Sequence, residues 1–226
     1  MSNSGDATGY RSKVAGYAAI AFYGDRVMEN KIKSTEIFTE EQGQTLVEFA
    51  RQTIMEKLGS KIDKIKADKL AERLKDHQFK NRCGTFVTIH AEGRLRGCIG
   101  NLAAQGTVLE GIRHNAIHAA FNDPRFSPLS ESELKSIDIE VSILSAPRLL
   151  DYKNSEDLVD KLKVHVDGVI LKKGFSSATF LPQVWKQLPD AKEFLSHLCL
   201  KAGLAANEWQ KGDLEILTYQ VQYFEE

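Results

Sequence analysis

Cysteine is scarce in this sequence: three residues among 226, at Cys83, Cys98 and Cys199. They lie far apart, their count is odd, and no C-x-x-C or Cys/His cluster brings two of them together. These absences argue against a disulfide framework and against a structural zinc site, and they fit a reducing compartment. A run of about 18 apolar residues, the length that crosses a bilayer, is also missing. So is the basic stretch followed by an apolar core that marks a signal peptide. The expected location is the cytoplasm, with no membrane partner. Charge of one sign is lacking too: 30 Lys and Arg offset 31 Asp and Glu. A protein that lives on nucleic-acid phosphates needs a positive surplus, so the net charge does not support nucleic acid as the main partner. A local basic patch stays open.

What is present is enough chain to bury a core, as one generous domain or two small ones. Residues 1–38 differ from the rest. A Ser/Gly/Asp-rich start leads to an apolar run from Val14 to Tyr23 and a polar link through Lys31, Lys33 and Ser34. A helix is expected from Thr39, where Thr39 and Gln42 form a capping box, to Gly59. A second, charged helix is expected over 66–76. Gly84 to His90, Glu92-Gly93 and Leu95 to Gly100 predict a strand, a tight turn and a strand. Residues 107–121 carry a helical apolar face that Asp123-Pro124 stops.

Ile137 to Leu144 alternates like a half-buried strand. A short helix over 156–162 is capped by Asn154 or Ser155, and Val164 to Leu181 predicts a hairpin around Lys172-Lys173-Gly174. Asp190 and Glu193 predict a capping box for a helix that ends at Gly203, and Leu214 to Phe224 predicts one closing strand. Helices interleave with hairpins, and hairpins demand antiparallel pairing. The fold class is therefore α+β, with mainly antiparallel sheets.

The chemistry-bearing stretch is Arg94-Leu95-Arg96-Gly97-Cys98-Ile99-Gly100. Gly97 and Gly100 within a strand mark a bulge or a close backbone approach. In a regular strand Arg94, Arg96 and Cys98 share a face, and a guanidinium beside the thiol would favour the thiolate. The competing reading makes Cys98 a small buried hydrophobe. Asp123 and Arg125 flank a proline after a helix, as an oriented acid–base pair or as plain turn chemistry. His114 and His118 stand at i, i+4, the spacing of a metal-binding helix. The position after His114 is Asn115 where that motif has an acid, and no third ligand is evident, so no metal site is assigned.

Gly84-Thr85-Phe86-Val87-Thr88, Leu95 to Gly100, Asp123-Pro124-Arg125-Phe126, Ile139 to Leu144, Asp167-Gly168-Val169, Phe180 to Val184 and Leu198 to Leu204 together resemble, in order, the AMMECR family pattern. The intact L-R-G-C-I-G hexapeptide is that family's hallmark. The resemblance covers about residues 40–225. It implies a larger domain built from both chain ends, a smaller one inserted from the middle, and the hexapeptide near the groove between them.

It also implies the AmmeMemoRadiSam system, in which family members accompany a Memo-family protein and a radical S-adenosylmethionine protein. Residues 3–22 resemble the C-terminal end of a Memo-family domain, and the two domains also occur fused. The division expected is a Memo-like remnant and linker over 1–38 and an AMMECR domain over 39–226.

Under an enzyme reading, Cys98 is nucleophile or redox thiol and Glu140 an acid or base. Arg96, Gly97 and Gly100 then bind an anionic ligand that Asp123 and Arg125 orient. The alternative is a binding module for a peptide, nucleotide or RNA in which Cys98 only packs. The sequence names no cofactor.

Overall fold

The computed structural model describes residues 37–226. The Memo-like remnant expected before them, with its apolar run Val14 to Tyr23, lies outside the described residues. Ile37 and Phe38 belong to the fold: Phe38 is buried, its ring is stacked 5.8 Å from that of Phe79, and both main-chain N–H groups donate to Gln222 Oε1.

Helix α1 spans Glu40–Leu58. Its capping box is closed: Thr39 Oγ1 accepts from the Gln42 N–H at 3.2 Å and Gln42 Oε1 accepts from the Thr39 N–H at 2.9 Å. Gly59 ends it with φ 71°, a left-handed value that glycine adopts without steric cost. Helix α2 follows at Lys64–Arg73, two to three residues earlier than its periodicity suggests, because Asp63 caps it. Strands β1 (Gly84–Ala91) and β2 (Arg94–Asn101) come next, then α3 (Val108–Phe121) and β3 (Ile137–Leu144).

The first sheet has the order β2-β1-β3-β8, where β8 is Val221–Glu225, and every pairing is antiparallel. Its Val87, Ile89, Ile139, Val141 and Ile143 form one core with Leu46, Phe49, Ala50 and Ile54 of α1 and with Ile112, Ala116 and Ala119 of α3. Each fully buried aliphatic of that size contributes about 1.5–3 kcal/mol. Successive strand residues alternate faces. The same helices therefore leave Phe86, Thr88, His90, Glu140 and Ser142 on the opposite face, helix-free in the sense that neither α1 nor α3 covers it.

The second sheet has the order β4-β7-β5-β6, with β4 Arg148–Leu149, β5 Gly168–Lys173, β6 Ser176–Phe180 and β7 Glu215–Tyr219. Helices α4 (Ser155–Lys161) and α5 (Ala191–Lys201) accompany it. Its core centres on Trp185, whose ring stacks on Phe194 at 3.6 Å and whose Nε1 donates to the Asp167 carbonyl at 2.7 Å. Asp190 caps α5 through the Glu193 N–H at 2.9 Å, while the reciprocal half of the expected box is not formed.

The expected single closing strand is two strands. Glu215–Tyr219 belongs to the second sheet and Val221–Glu225 to the first. The chain changes sheets at Gln220, where Ser145 meets it: the Ser145 N–H donates to the Gln220 carbonyl, and the Gln220 N–H donates to Ser145 Oγ, each at 2.9 Å. Both connections between the lobes thus run side by side. The result is an α+β fold with a larger lobe from both ends of the described chain and a smaller inserted one. A third apolar cluster seals the junction: Leu144, Leu181, Tyr219 and Val221, with Phe86, Leu102 and Ile170 against it. Among the described residues no helix is long and apolar enough to cross a membrane.

Candidate functional site

The β1–β2 hairpin turns through Glu92 and Gly93, both left-handed at φ 52° and 74°, which is the geometry a two-residue turn needs to match strand twist. Pairing then slips: Leu95 faces His90 and Gly97 faces Ile89, so Arg96 has no partner on β1. This bulge corrects the face expected from a regular strand. Arg94 pairs with Ala91, and Cys98 pairs with Thr88, three positions away on β1, so the two lie on opposite faces of the sheet.

Both glycines of the hexapeptide serve internal packing. A Cβ on Gly97 would strike the Ala119 carbonyl oxygen of α3, and one on Gly100 would strike the Phe86 ring and the Thr85 carbonyl oxygen. The close backbone approach read from the sequence is real, and it is made by the protein itself.

Cys98 lies on the edge strand β2, half-buried, on the helix-free face. Its main-chain N–H donates to Asp123 Oδ2 at 2.9 Å, and its carbonyl accepts from Arg125 Nη2 at 3.1 Å. Asp123 in turn accepts from the Arg125 side chain at 2.9 and 2.6 Å and from the Arg125 N–H at 3.1 Å. The Asp123–Arg125 pair thus satisfies Cys98 as a neighbouring strand would, which closes this point of the edge to pairing. Burial works against the charge on Asp123. The donors from Arg125 and from the Cys98 N–H prevail and hold its carboxyl below the usual range.

The Cys98 thiol accepts from Thr88 Oγ1 at 3.3 Å. Burial pushes the thiol up to about 11, outweighing that hydrogen bond and the Arg125 charge, which both favour the thiolate. The expectation of a guanidinium-activated thiolate is therefore not met. Arg96 does not face the sulfur as a free cation either. Its Nε donates to Glu133 Oε1 at 2.8 Å, and Glu133 is held down to about 2 by Arg96 first and by the Ser130 N–H second. The Phe126 ring lies within cation–π range of both guanidinium groups, 5.9 Å from that of Arg96 and 5.4 Å from that of Arg125.

Glu140 pairs with Thr88, so Cys98, Thr88 and Glu140 form one row across three strands of the helix-free face. Two interstrand steps put the outer pair about 10 Å apart at Cα. Ser142 Oγ donates to Glu140 Oε1 at 3.1 Å. The structure thus brings together Cys98, Asp123 and Arg125 in one hydrogen-bonded unit and sets Glu140 in the same row. Arg96 stands in a neighbouring ion pair. Thr88, Ser142 and Glu133 are partners the sequence reading missed. Alternation along β1 and β3 held the signal for the first two.

Behind the sheet, Asn115 is fully buried and donates to the Thr85 carbonyl and Oγ1, both at 2.9 Å. Near it a shallow recess of about 260 Å³ is lined by Asn101, Gln105, Gly106, Glu110, Gly111 and His114. The imidazoles of His114 and His118 lie against each other at 4.1 Å. Among the described residues no three His, Cys, Asp or Glu side chains converge as a metal set.

Comparison with known proteins accords with this architecture. The model of a family described as AMMECR1 matches residues 47–224. A protein of Methanothermobacter thermautotrophicus is 38% identical over 188 residues, covering 82% of this chain and 95% of its own. Protein MK0488 of Methanopyrus kandleri is 37% identical, covering 84% and 91%. The crystal structure of the uncharacterized protein PH0010 from Pyrococcus horikoshii superposes with a TM-score of 0.66 at 32% identity, over 84% of this chain and 94% of that one. None of these names states an activity.

Proposed function

The chain belongs to the AMMECR1 family, and from that premise we propose that it is the substrate-binding subunit of a modification system, AmmeMemoRadiSam. It works beside a Memo-family protein and a radical S-adenosylmethionine protein in the cytoplasm. Its working surface is the helix-free face of the first sheet around Cys98. That face binds and orients, and the chemistry belongs to the partner.

One observation carries this reading: the Cys98 sulfur is half-buried and tied to Thr88, its main chain is locked in place by Asp123 and Arg125, and that burial raises the thiol. A neutral, fixed sulfhydryl is a weak hydrogen-bonding and packing group, well suited to recognition and poorly suited to attack. Glu140, in the same row, supplies a carboxyl that can accept a hydrogen bond from a bound group. Asp123 and Arg125 hold the strand that presents Cys98. For Arg96 to grip an anion it must first leave Glu133.

The test mixes the chain with a Memo-family protein and the radical S-adenosylmethionine protein, with affinity measured by calorimetry and light scattering. A stable complex is expected, weakened by about tenfold or more in Cys98→Ala and Glu140→Gln, a loss of about 1.4 kcal/mol each. No complex, or two variants that bind as the unaltered chain does, would overturn the proposal.

A further inference from the structure

We propose that the recess beside α3 is a second binding site, distinct from the Cys98 face, and that it takes a nucleobase bearing an exocyclic amino group. The recess lies on the helix side of the first sheet: Asn101 pairs with Thr85, whose hydroxyl meets α3 at Asn115 and Gly111. Cys98 lies on the other side. A ligand here would not touch the thiol row.

The walls have the parts that base recognition uses. Asn101 and Gln105 bring carboxamides, each with one acceptor and two donors, the side chains that pair bidentately with an adenine edge. Asn101 Nδ2 donates to Asn115 Oδ1 at 3.3 Å, and Asn115 is itself fixed by its two hydrogen bonds to Thr85, so the Asn101 amide is oriented from behind. Glu110 contributes a carboxylate. Its Oε2 accepts the Thr107 N–H at 2.7 Å, and that hydrogen bond keeps its carboxyl low and ionised. A carboxylate accepts from an amino group and repels an anion.

His114 supplies an aromatic wall with His118 against it at 4.1 Å. Burial first and the neighbouring His114 second lower His118, which favours its neutral form. Histidine is one of the side chains on which unstacked bases rest. Gly106 lets the Glu110 carboxylate fold close against the loop, and Gly111 lets α3 settle on the Thr85 hydroxyl, so both glycines fix the walls of the recess. At about 260 Å³ the recess holds a single heterocycle. It is smaller than the ~300–1,000 Å³ of drug-sized pockets.

The base could arrive in a free nucleoside or in a single strand of RNA, and the experiment separates the two. Adenosine, uridine and a short oligo(rA) are titrated into ¹⁵N-labelled full-length chain and followed by ¹H–¹⁵N correlation spectra. Adenosine is expected to produce saturable shifts at Gly106, Gly111 and His114, and uridine, which lacks the amino group, much smaller ones. His114 and Gln105 are exposed, so His114→Ala and Gln105→Ala are expected to fold. His114→Ala should weaken adenosine by about fivefold or more, the lower end of what losing one base–aromatic contact costs, and Gln105→Ala by a similar factor through the lost carboxamide pair. Tighter binding of oligo(rA) identifies a strand as the source, and equal binding identifies the nucleoside. Absence of saturable shifts with both adenosine and oligo(rA), equal binding of uridine, or unchanged affinity in His114→Ala would overturn the proposal.

Discussion

The main-chain N–H of Cys98 donates to the Asp123 carboxylate at 2.9 Å, joining the middle of an edge strand to a turn 25 residues further on. Arg125 completes the arrangement at the Cys98 carbonyl. An Asp-Pro-Arg turn thereby stands where a further strand would pair. Replacing Asp123, whose side chain is 2% exposed, strips the Cys98 N–H and the Arg125 guanidinium of their shared acceptor. Asp123→Ala is expected to cost about 3 kcal/mol, and Asp123→Asn, which keeps one acceptor, about half of that. Urea unfolding measures both. A loss under about 0.5 kcal/mol in Asp123→Ala, the scale of an ordinary surface change, would show that the turn does not hold β2.

The sign of the pH dependence follows from the same carboxyl. Asp123 is held below its ordinary value of 3.8 in the folded chain. Its contribution is therefore fully present above that value and is lost as pH falls through the folded value. Unfolding free energy of the unaltered chain is expected to fall more steeply below about pH 4 than that of Asp123→Asn. Parallel acid limbs would contradict this.

Glu133 gives a sharper check, because its carboxyl is placed at about 2 against an ordinary 4.5. Its stabilising pairing with Arg96 is complete above 4.5 and is lost as pH falls towards 2. Carbon-13 titration of the carboxyl is expected to give the low midpoint in the unaltered chain and a midpoint moved upward in Arg96→Gln. An ordinary midpoint before the substitution would show that Arg96 is not held as described.

Gly97 is a packing position. Adding one methyl there drives Cβ into the Ala119 carbonyl, which is backbone and cannot swing aside. Overpacking of this kind costs about 1–3 kcal/mol. Gly97→Ala is accordingly expected to lower the melting temperature by roughly 2–12 °C for a chain of this size. Gly93→Ala, at a left-handed turn position with open space around it, tests backbone strain without a clash. If Gly97→Ala melts like the unaltered chain, α3 does not press on β2.

Much of this could be read from local chemistry. The Thr39–Gln42 box, the left-handed Glu92-Gly93 turn, the Asn154 and Asp190 caps and the apolar face of α3 are each written within a few neighbouring residues, and the structure has them. Three features were not legible, for one shared reason. The slip at Arg96, the change of sheets at Gln220 and the pairing of Arg96 with Glu133 depend on residues 37 or more positions away, or on which strand lies alongside. Gly97 marked a bulge or a close approach without saying that Arg96 would be the residue left unpaired, and Leu214 to Phe224 carries no proline or glycine to mark a break. Alternation alone put Arg94 beside Cys98, and one unpaired residue moved it to the other face.

On the proposed function, Cys98 is a neutral, positioned thiol on a recognition face rather than a resting nucleophile. Its alkylation rate with iodoacetamide, resolved from Cys83 and Cys199 by mass spectrometry and followed across pH, tests this directly. The rate is expected to climb to a midpoint near 11, with no plateau at neutral pH, and the midpoint to rise further in Thr88→Val, which removes the hydroxyl that donates to the sulfur. A midpoint at or below the ordinary 9.0 would contradict it and return Cys98 to the role of nucleophile.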